Sequence, residues 1–261
     1  MELLLVAAAA FAASALTLVT GFGLATLLTP VFVLFLPVPV AIAAVAIVHL
    51  ANNLFKLLLV GRDADRRIAL RFGVPAAIAA VAGAVVLVAL ADAPAVLTYE
   101  LFGRREVSLL KLVVGLVIVA VAGVELRRPS AQGVRASDRD LLVGGLASGL
   151  IGGLTGNQGP LRAAVLLRSG LRPAAYIGTS AICAVFVDLG RLVVYGSTFA
   201  SLPELAANPV VVRVLLVGSL SAFAGAVLAA RLSKRATSDV IRWLTAGLLI
   251  VVGLALATGF V

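Results

Sequence analysis

The sequence predicts an all-α integral membrane protein made of two inverted-topology repeats, each a broken or re-entrant helical segment plus three transmembrane helices. Three observations predict it. Hydrophobic residues make up 62% of the 261, and the mean hydropathy is +1.17. Charged residues are only 13%, against about 25% in soluble domains. Two glycine-rich interruptions, "TGFGLATLLTP" (20–30) and "GLTGNQGPLR" (153–162), stand at matched places in the two halves.

The apolar runs come first. Residues 2–20, 40–60, 72–91, 107–126, 173–197, 209–230 and 238–258 reach or approach the roughly 20 residues that cross a bilayer core. Every polar link between them is short, so residues 1–261 form a single membrane domain. Residues 1–126 are repeat one, 127–138 a cytoplasmic linker and 139–261 repeat two. Residues 1–20 lack the basic leading segment of a signal peptide, since the first Lys or Arg is Lys56, and they read as a helix. One Cys (Cys183) and one His (His49) leave no disulfide and no metal site, and no cofactor is expected. The net charge of +9 sits in short loops, as the positive-inside rule requires, and does not signal nucleic acid.

Charge placement orients the runs. Arg62, Arg66, Arg67 and Arg71, then Arg127, Arg128, Arg135 and Arg139, then Arg231, Lys234, Arg235 and Arg242 put links 61–71, 127–139 and 231–237 in the cytoplasm. The 198–208 link and both termini carry no Lys or Arg and go outside. Link 91–106 must also lie outside, despite Arg104 and Arg105. Residues 1–60 and 139–197 then each make an odd number of crossings. Residues 139–153 rise about 22 Å as a helix and 160–168 about 14 Å, short of a core of roughly 30 Å. A re-entrant hairpin followed by one full crossing satisfies both length and parity. The expected location is the plasma membrane, multi-pass.

The halves resemble each other. "NNLFKLLLVG" (52–61) aligns without gaps on "VDLGRLVVYG" (187–196), placing Asn53 on Asp188, Lys56 on Arg191 and Gly61 on Gly196. "AGAVVL" (82–87) matches "AGAVLA" (224–229), the same offset puts Arg71 on Arg213, and Gly23 aligns with Gly159. Inverted repeats are a common plan of secondary transporters, with discontinuous helices meeting at the midplane around the substrate.

The interruptions have a physical reading. Non-helical backbone at membrane depth is tolerated only where protein or a water-filled cavity surrounds it. A half-helix starting near Gly159 offers free N–H groups and a positive dipole end, which favour an anion. Asn157, Gln158 and Gly159 are therefore candidate ligands, with Gly23 at the matching break. Arg162 reads either as a two-pronged grip on an oxyanion or as a side chain that snorkels or meets a carbonyl. Asn52 and Asn53 face a cavity, because two adjacent amides cannot both face lipid. Asp188 and Arg191, three apart, either pair or leave Asp188 to carry a coupling proton. His49 either lines the path and relays protons or is a neutral buried histidine with one backbone partner. Lys56, about one turn from the cytoplasmic end, reads as snorkelling.

These features imply a secondary permease for a small anion, working by alternating access around two broken helices. An anion channel is the alternative. An intramembrane lipid-phosphate enzyme needs acids or a nucleophile–base set near arginine, and the chain offers one deep acid and one distant histidine. Expected partners are the small anion and the bilayer; a coupling proton and a homo-oligomer stay open.

The same residues resemble the sulfite exporter TauE/SafE family of small-anion permeases. In each half the family pattern is a glycine cluster, a proline and then an apolar helix. Here it is carried by "GLIGGLTGNQGP" (149–160) and "RPAAYIGTSA" (172–181), and by "TGFGLATLLTP" (20–30) and "PVPVAIAAVA" (37–46). The resemblance implies transport of sulfite, a sulfonate or a related organosulfur anion. It points at Gly21, Gly23, Gly153, Gly156, Gly159, Pro160, Thr179 and Ser180 as substrate-binding. The usual triple glycine is reduced to "GFG" and "GNQG", and Val45 and Ala46 stand opposite the Thr-Ser pair.

Overall fold

The computed structural model describes residues 2–20, 23–101, 103–126, 135–198, 207–232 and 238–260. In chain order the helices are α1 (Glu2–Thr20), α2 (Leu24–Phe32), α3 (Val38–Val60), α4 (Arg66–Ala91), α5 (Leu109–Leu126), α6 (Asp138–Thr155), α7 (Gly159–Leu166), α8 (Pro173–Gly196), α9 (Pro209–Leu232) and α10 (Ser238–Ala257). Two strands, β1 (Ala95–Glu100) and β2 (Arg104–Ser108), lie between α4 and α5. Among the described residues, five stretches are long and apolar enough to cross a membrane: Val38–Asp63, Arg66–Ala91, Leu109–Leu126, Pro173–Gly196 and Pro209–Ala229.

Local chemistry fixes the starts. Pro39 stands in the first turn of α3 and Pro173 opens α8, using the first-turn positions where a missing N–H costs nothing. Asp65 caps α4 by accepting from Ile68 N–H at 2.9 Å. Ser137 and Asp140 form a reciprocal capping box on α6. Arg71 pairs with Asp138 and Arg168 with Asp140, so the starts of α4 and α6 and the turn after α7 are tied together.

Packing uses small residues. Glycines 145, 149 and 153 are spaced four apart on α6. Carbon atoms added there would run into the carbonyls of Phe72, Ala76 and Ala80 on α4. α4 and α6 therefore run parallel, backbone against backbone, as small-residue membrane interfaces do. α1 packs on α9 in the same manner, with Gly225 against the backbone of Phe11 and Ala15. α3 and α8 run antiparallel: Val60 at the end of α3 meets Gly178 near the start of α8, while His49 meets Asp188. α5 and α10 are also antiparallel, with Gly115 against Ala257 and Val119 against Gly253. The main apolar core surrounds α2 and α3, including Leu24, Leu28, Phe32 and Ile42. A second core joins α4, α6, α7 and α8 through Phe72, Leu141, Leu166 and Val187.

The helix lengths follow one order twice: 19, 9, 23, 26 and 18 residues for α1–α5, then 18, 8, 24, 24 and 20 for α6–α10.

The all-α expectation fails in one place. Residues 95–108 form an antiparallel hairpin, with Thr98 opposite Glu106 and Tyr99 opposite Arg105, and α5 starts at 109, not 107. A lone hairpin is marginal in water. This one is anchored by the chain's tail. The Tyr99 hydroxyl donates to Thr258 O at 2.5 Å, and the Arg105 guanidinium sits 4.4 Å over the Phe260 ring. The linker at 127–134 and the links at 199–206 and 233–237 lie outside the described residues.

Candidate functional site

The buried polar residues converge where α3, α8 and the α6–α7 break meet. On α3, His49, Asn52, Asn53 and Lys56 recur at spacings of three and four, which stack on one helical face. On α8 the contributors are Thr179, Ser180, Asp188, Arg191 and Tyr195. All nine are buried.

α6 ends at Thr155, and Gly156 turns the chain in the left-handed region with φ +81°. A carbon atom added to Gly156 would meet Arg191 Nη1 at 3.2 Å and Thr29 Oγ1 at 3.6 Å, so glycine is required for conformation and room alike. The carbonyls left over at a helix end need partners. α8 provides them: Arg191 Nη1 donates to Gly152 O at 3.4 Å and the Tyr195 hydroxyl donates to Gly153 O. A cation at this negative dipole end is favourable. Asn157 folds back on Thr155, its N–H donating to Thr155 Oγ1 at 3.2 Å and its Nδ2 to Thr155 O at 3.1 Å. Ser148 Oγ donates to Gln158 O at 2.9 Å. α7 then begins at Gly159 and Pro160. In the first half, α1 ends at Thr20 and α2 begins at Leu24 after Gly23, whose φ is +117°.

One connected network runs across the site. Arg162 Nε donates to Ser180 Oγ and Arg162 Nη1 to Gln158 Oε1, each at 2.9 Å. Gln158 Nε2 donates to Asp188 Oδ1 at 3.3 Å. The same oxygen accepts from Arg191 Nε at 3.1 Å and Nη2 at 2.7 Å. The other carboxylate oxygen, Oδ2, lies 2.7 Å from His49 Nδ1. Asn53 Nδ2 lies 3.2 Å from His49 Nδ1 and donates to His49 O at 2.8 Å.

The structure thus brings together seven of the sequence candidates: His49, Asn53, Gln158, Arg162, Ser180, Asp188 and Arg191. Gly156 and Gly159 frame the break beside them. Asn52 stands one turn along α3 and accepts from Ser14 Oγ of α1 at 2.9 Å. The Thr179 hydroxyl accepts from Asp65 N–H at 2.9 Å, at the start of α4. Gly23 belongs to the first break, and Gly21 lies outside the described residues. Asp188 and Arg191 pair, as their spacing allowed. The partner of His49 is a carboxylate, where the plainer expectation was one backbone group. Arg162 does not snorkel; the carbonyl oxygen it meets is that of the Gln158 side-chain amide.

Lys56 is the correction of most consequence. It does not snorkel: it is 3% exposed. It makes no hydrogen bond or ion pair among the described residues. The signal was present in the repeat, which aligns Lys56 on the equally buried Arg191. Asn52 Nδ2 and Asn157 Oδ1 are buried atoms without a hydrogen-bond partner among the described residues. Ser14, Thr29, Ser148 and Tyr195 also belong to the surroundings and had no distinguishing pattern in sequence.

Among the described residues no group of three or more His, Cys, Asp or Glu could hold a metal ion. The chemistry on offer is that of fixed cations and hydrogen-bond donors, suited to holding an anion. A family model described as "Sulfite exporter TauE/SafE" matches residues 6–256. No curated protein and no solved structure matches the chain.

Proposed function

The chain belongs to the sulfite exporter TauE/SafE family of membrane transporters, and on that premise we propose that it is a multi-pass plasma-membrane permease for sulfite, a sulfonate or a related organosulfur anion. One observation carries the reading. Two buried cations, Arg162 on α7 and Lys56 on α3, have no carboxylate bonded to them among the described residues. Ionisable groups inside a membrane are costly and mark substrate or ion paths. The N-terminus of α7 adds unsatisfied N–H groups and a positive dipole end at the same place.

We read the two halves as inverted repeats. The doubled order of helix lengths supports this, as does the antiparallel course of the matched pairs α3/α8 and α5/α10. In such a frame the half-helices α2 and α7 meet the substrate from opposite repeats, and alternating access is a rocking of one repeat against the other. Asp188 and His49, at the α3–α8 contact, form the pair through which a proton is coupled to that motion.

Two measurements test the reading. Purified protein is screened for thermal stabilisation by sulfite, thiosulfate, sulfoacetate, taurine, sulfate and acetate, since a ligand that binds only the folded state raises the melting temperature. Reconstituted vesicles are then assayed for saturable counterflow of the anion that binds. Absence of both stabilisation and flux for every anion would overturn it.

A further inference from the structure

Resting on the anion-site reading above, we infer that the anion carries a hydroxyl beside its charged head, and that Asn157 is the residue that selects it. Asn157 lies between the end of α6, where Gly156 turns the chain, and the start of α7 at Gly159. It is fully buried. Its N–H donates to Thr155 Oγ1 at 3.2 Å and its Nδ2 to Thr155 O at 3.1 Å. The second bond fixes which way the amide faces, because a carbonyl oxygen only accepts and so can meet only the NH2 edge. Oδ1 is then the edge turned away from Thr155 O, and it has no hydrogen-bond partner among the described residues. A buried acceptor in that state is costly and calls for a donor.

The side chains around the break have their donors committed elsewhere. Thr29 Oγ1 donates to Ala25 O, Ser148 Oγ to Gln158 O and Thr155 Oγ1 to Ile151 O, at 2.8, 2.9 and 3.0 Å. A hydroxyl has a single hydrogen to give, and that of Tyr195 goes to Gly153 O. Gln158 Nε2 reaches Asp188, and each of the three Arg191 nitrogens already donates. The donor for Asn157 Oδ1 therefore comes from whatever fills the break. An anion is drawn there by the first-turn N–H groups of α7, which have no partner within the helix, and by the Arg162 guanidinium bonded to the adjoining Gln158. An alkyl group entering with it displaces water and strands the amide oxygen, whereas a hydroxyl keeps the bond. An ammonium would also donate, but it brings a like charge to the positive end of α7 and to Arg162. Asn157 is thus a specificity-determining residue: the N–H groups hold the charged head, and Oδ1 tests for the hydroxyl.

The experiment measures calorimetric affinity in detergent for three sulfonates of equal carbon number: isethionate (ending in a hydroxyl), ethanesulfonate (ending in a methyl) and taurine (ending in an ammonium). Wild type is expected to hold isethionate at least about fivefold more tightly than either of the others. In Asn157→Leu, with folding checked by gel filtration, the preference for isethionate over ethanesulfonate is expected to fall to within about twofold of none. A merely structural Asn157 would weaken both ligands alike and leave their ratio unchanged. Asn157→Ala gives the same reading if the leucine variant does not fold, and the wild-type ratio needs no variant at all. Equal wild-type affinity for isethionate and ethanesulfonate, taurine bound as tightly as isethionate, or an unchanged ratio in the variant overturns the inference while the permease reading stands. Failure of wild type to bind any of the three also overturns it; the permease reading falls only if the stabilisation screen and the flux assay fail as well.

Discussion

Nδ1 of His49 lies 2.7 Å from Oδ2 of Asp188, between residues 139 apart in the chain. The contact joins α3 to α8 at the point where Arg191 and the Arg162-bound Gln158 approach the same carboxylate. Asp188 therefore holds the site's charges together, and its removal has the largest expected effect on stability.

Asp188→Asn leaves Arg191 buried without a counter-charge. Breaking one member of a buried pair costs about 3–5 kcal/mol, so the melting temperature should fall steeply. The double variant Asp188→Asn with Arg191→Met removes both charges and should recover most of the loss. Differential scanning fluorimetry of the two variants in one detergent decides it. Equal melting points for the single and double variants would mean that the pair contributes nothing.

Arg162→Ala should weaken the bound anion by roughly ten- to a hundredfold, because charge-assisted hydrogen bonds contribute about 1.5–3 kcal/mol and each 1.4 kcal/mol is a factor of ten. Arg162→Lys keeps the charge and loses the fork, and it should fall between. Asn157→Ala and Gln158→Ala should cost about 0.5–1.5 kcal/mol each, the worth of a neutral hydrogen bond. Isothermal titration with the anion selected by the stability screen measures all four. Wild-type affinity in a folded Arg162→Ala variant would move the site to backbone N–H groups and amides.

Gly149→Ala tests the α4–α6 seam. The added carbon runs into the carbonyl of Ala76, and forcing a tight interface apart costs about 1–3 kcal/mol. Gly247→Ala and Gly123→Ala, where an added carbon meets nothing within 4 Å, should be neutral or slightly stabilising, since alanine is the better helix former by about 1 kcal/mol. Thermal melts of the three variants should separate accordingly. A Gly149→Ala melt at or above wild type would show that the seam yields.

Topology is tested by impermeant thiol labelling in sealed cells after Cys183→Ser. Asp63→Cys, exposed in the link between α3 and α4, should stay unlabelled from outside. Glu100→Cys, exposed at the end of β1, should label. Labelling in the reverse pattern would flip the molecule and the direction in which each half opens.

Much of this arrangement was legible in the sequence. Both breaks were, because glycine and polar residues inside an apolar run are costly unless the chain turns there. The Asp188–Arg191 pair was, because helix geometry puts residues three apart on one side. His49 and Asp188 were each visible as polar residues in apolar helices, but nothing local links positions in different halves. The burial of Lys56 was not legible locally, because snorkelling considers only the distance to the helix end, whereas burial depends on what covers the side chain; only its alignment on Arg191 in the repeat pointed to it. Nor was the hairpin: strands of five or six residues give little period-two signal, and its anchors, Thr258 and Phe260, lie far along the chain.

The pairing of α1 with α9 has a consequence for biosynthesis. The partner of α1, α9, follows it only after about 190 more residues, roughly 10–40 s at translation rates of about 5–20 residues per second. α4 and α6 can close their seam long before. The nascent protein thus completes the half holding Arg162 and Asp188 while α1 still waits in lipid with its small-residue face open. Ser14 on that helix donates to Asn52 of α3, a contact that needs no part of α9, so α1 can reach the edge of the site before its seam with α9 closes. Arrested chains ending before Pro209 should therefore crosslink α4 to α6 but leave the face of α1 around Phe11 and Ala15, where Gly225 packs, open to labelling.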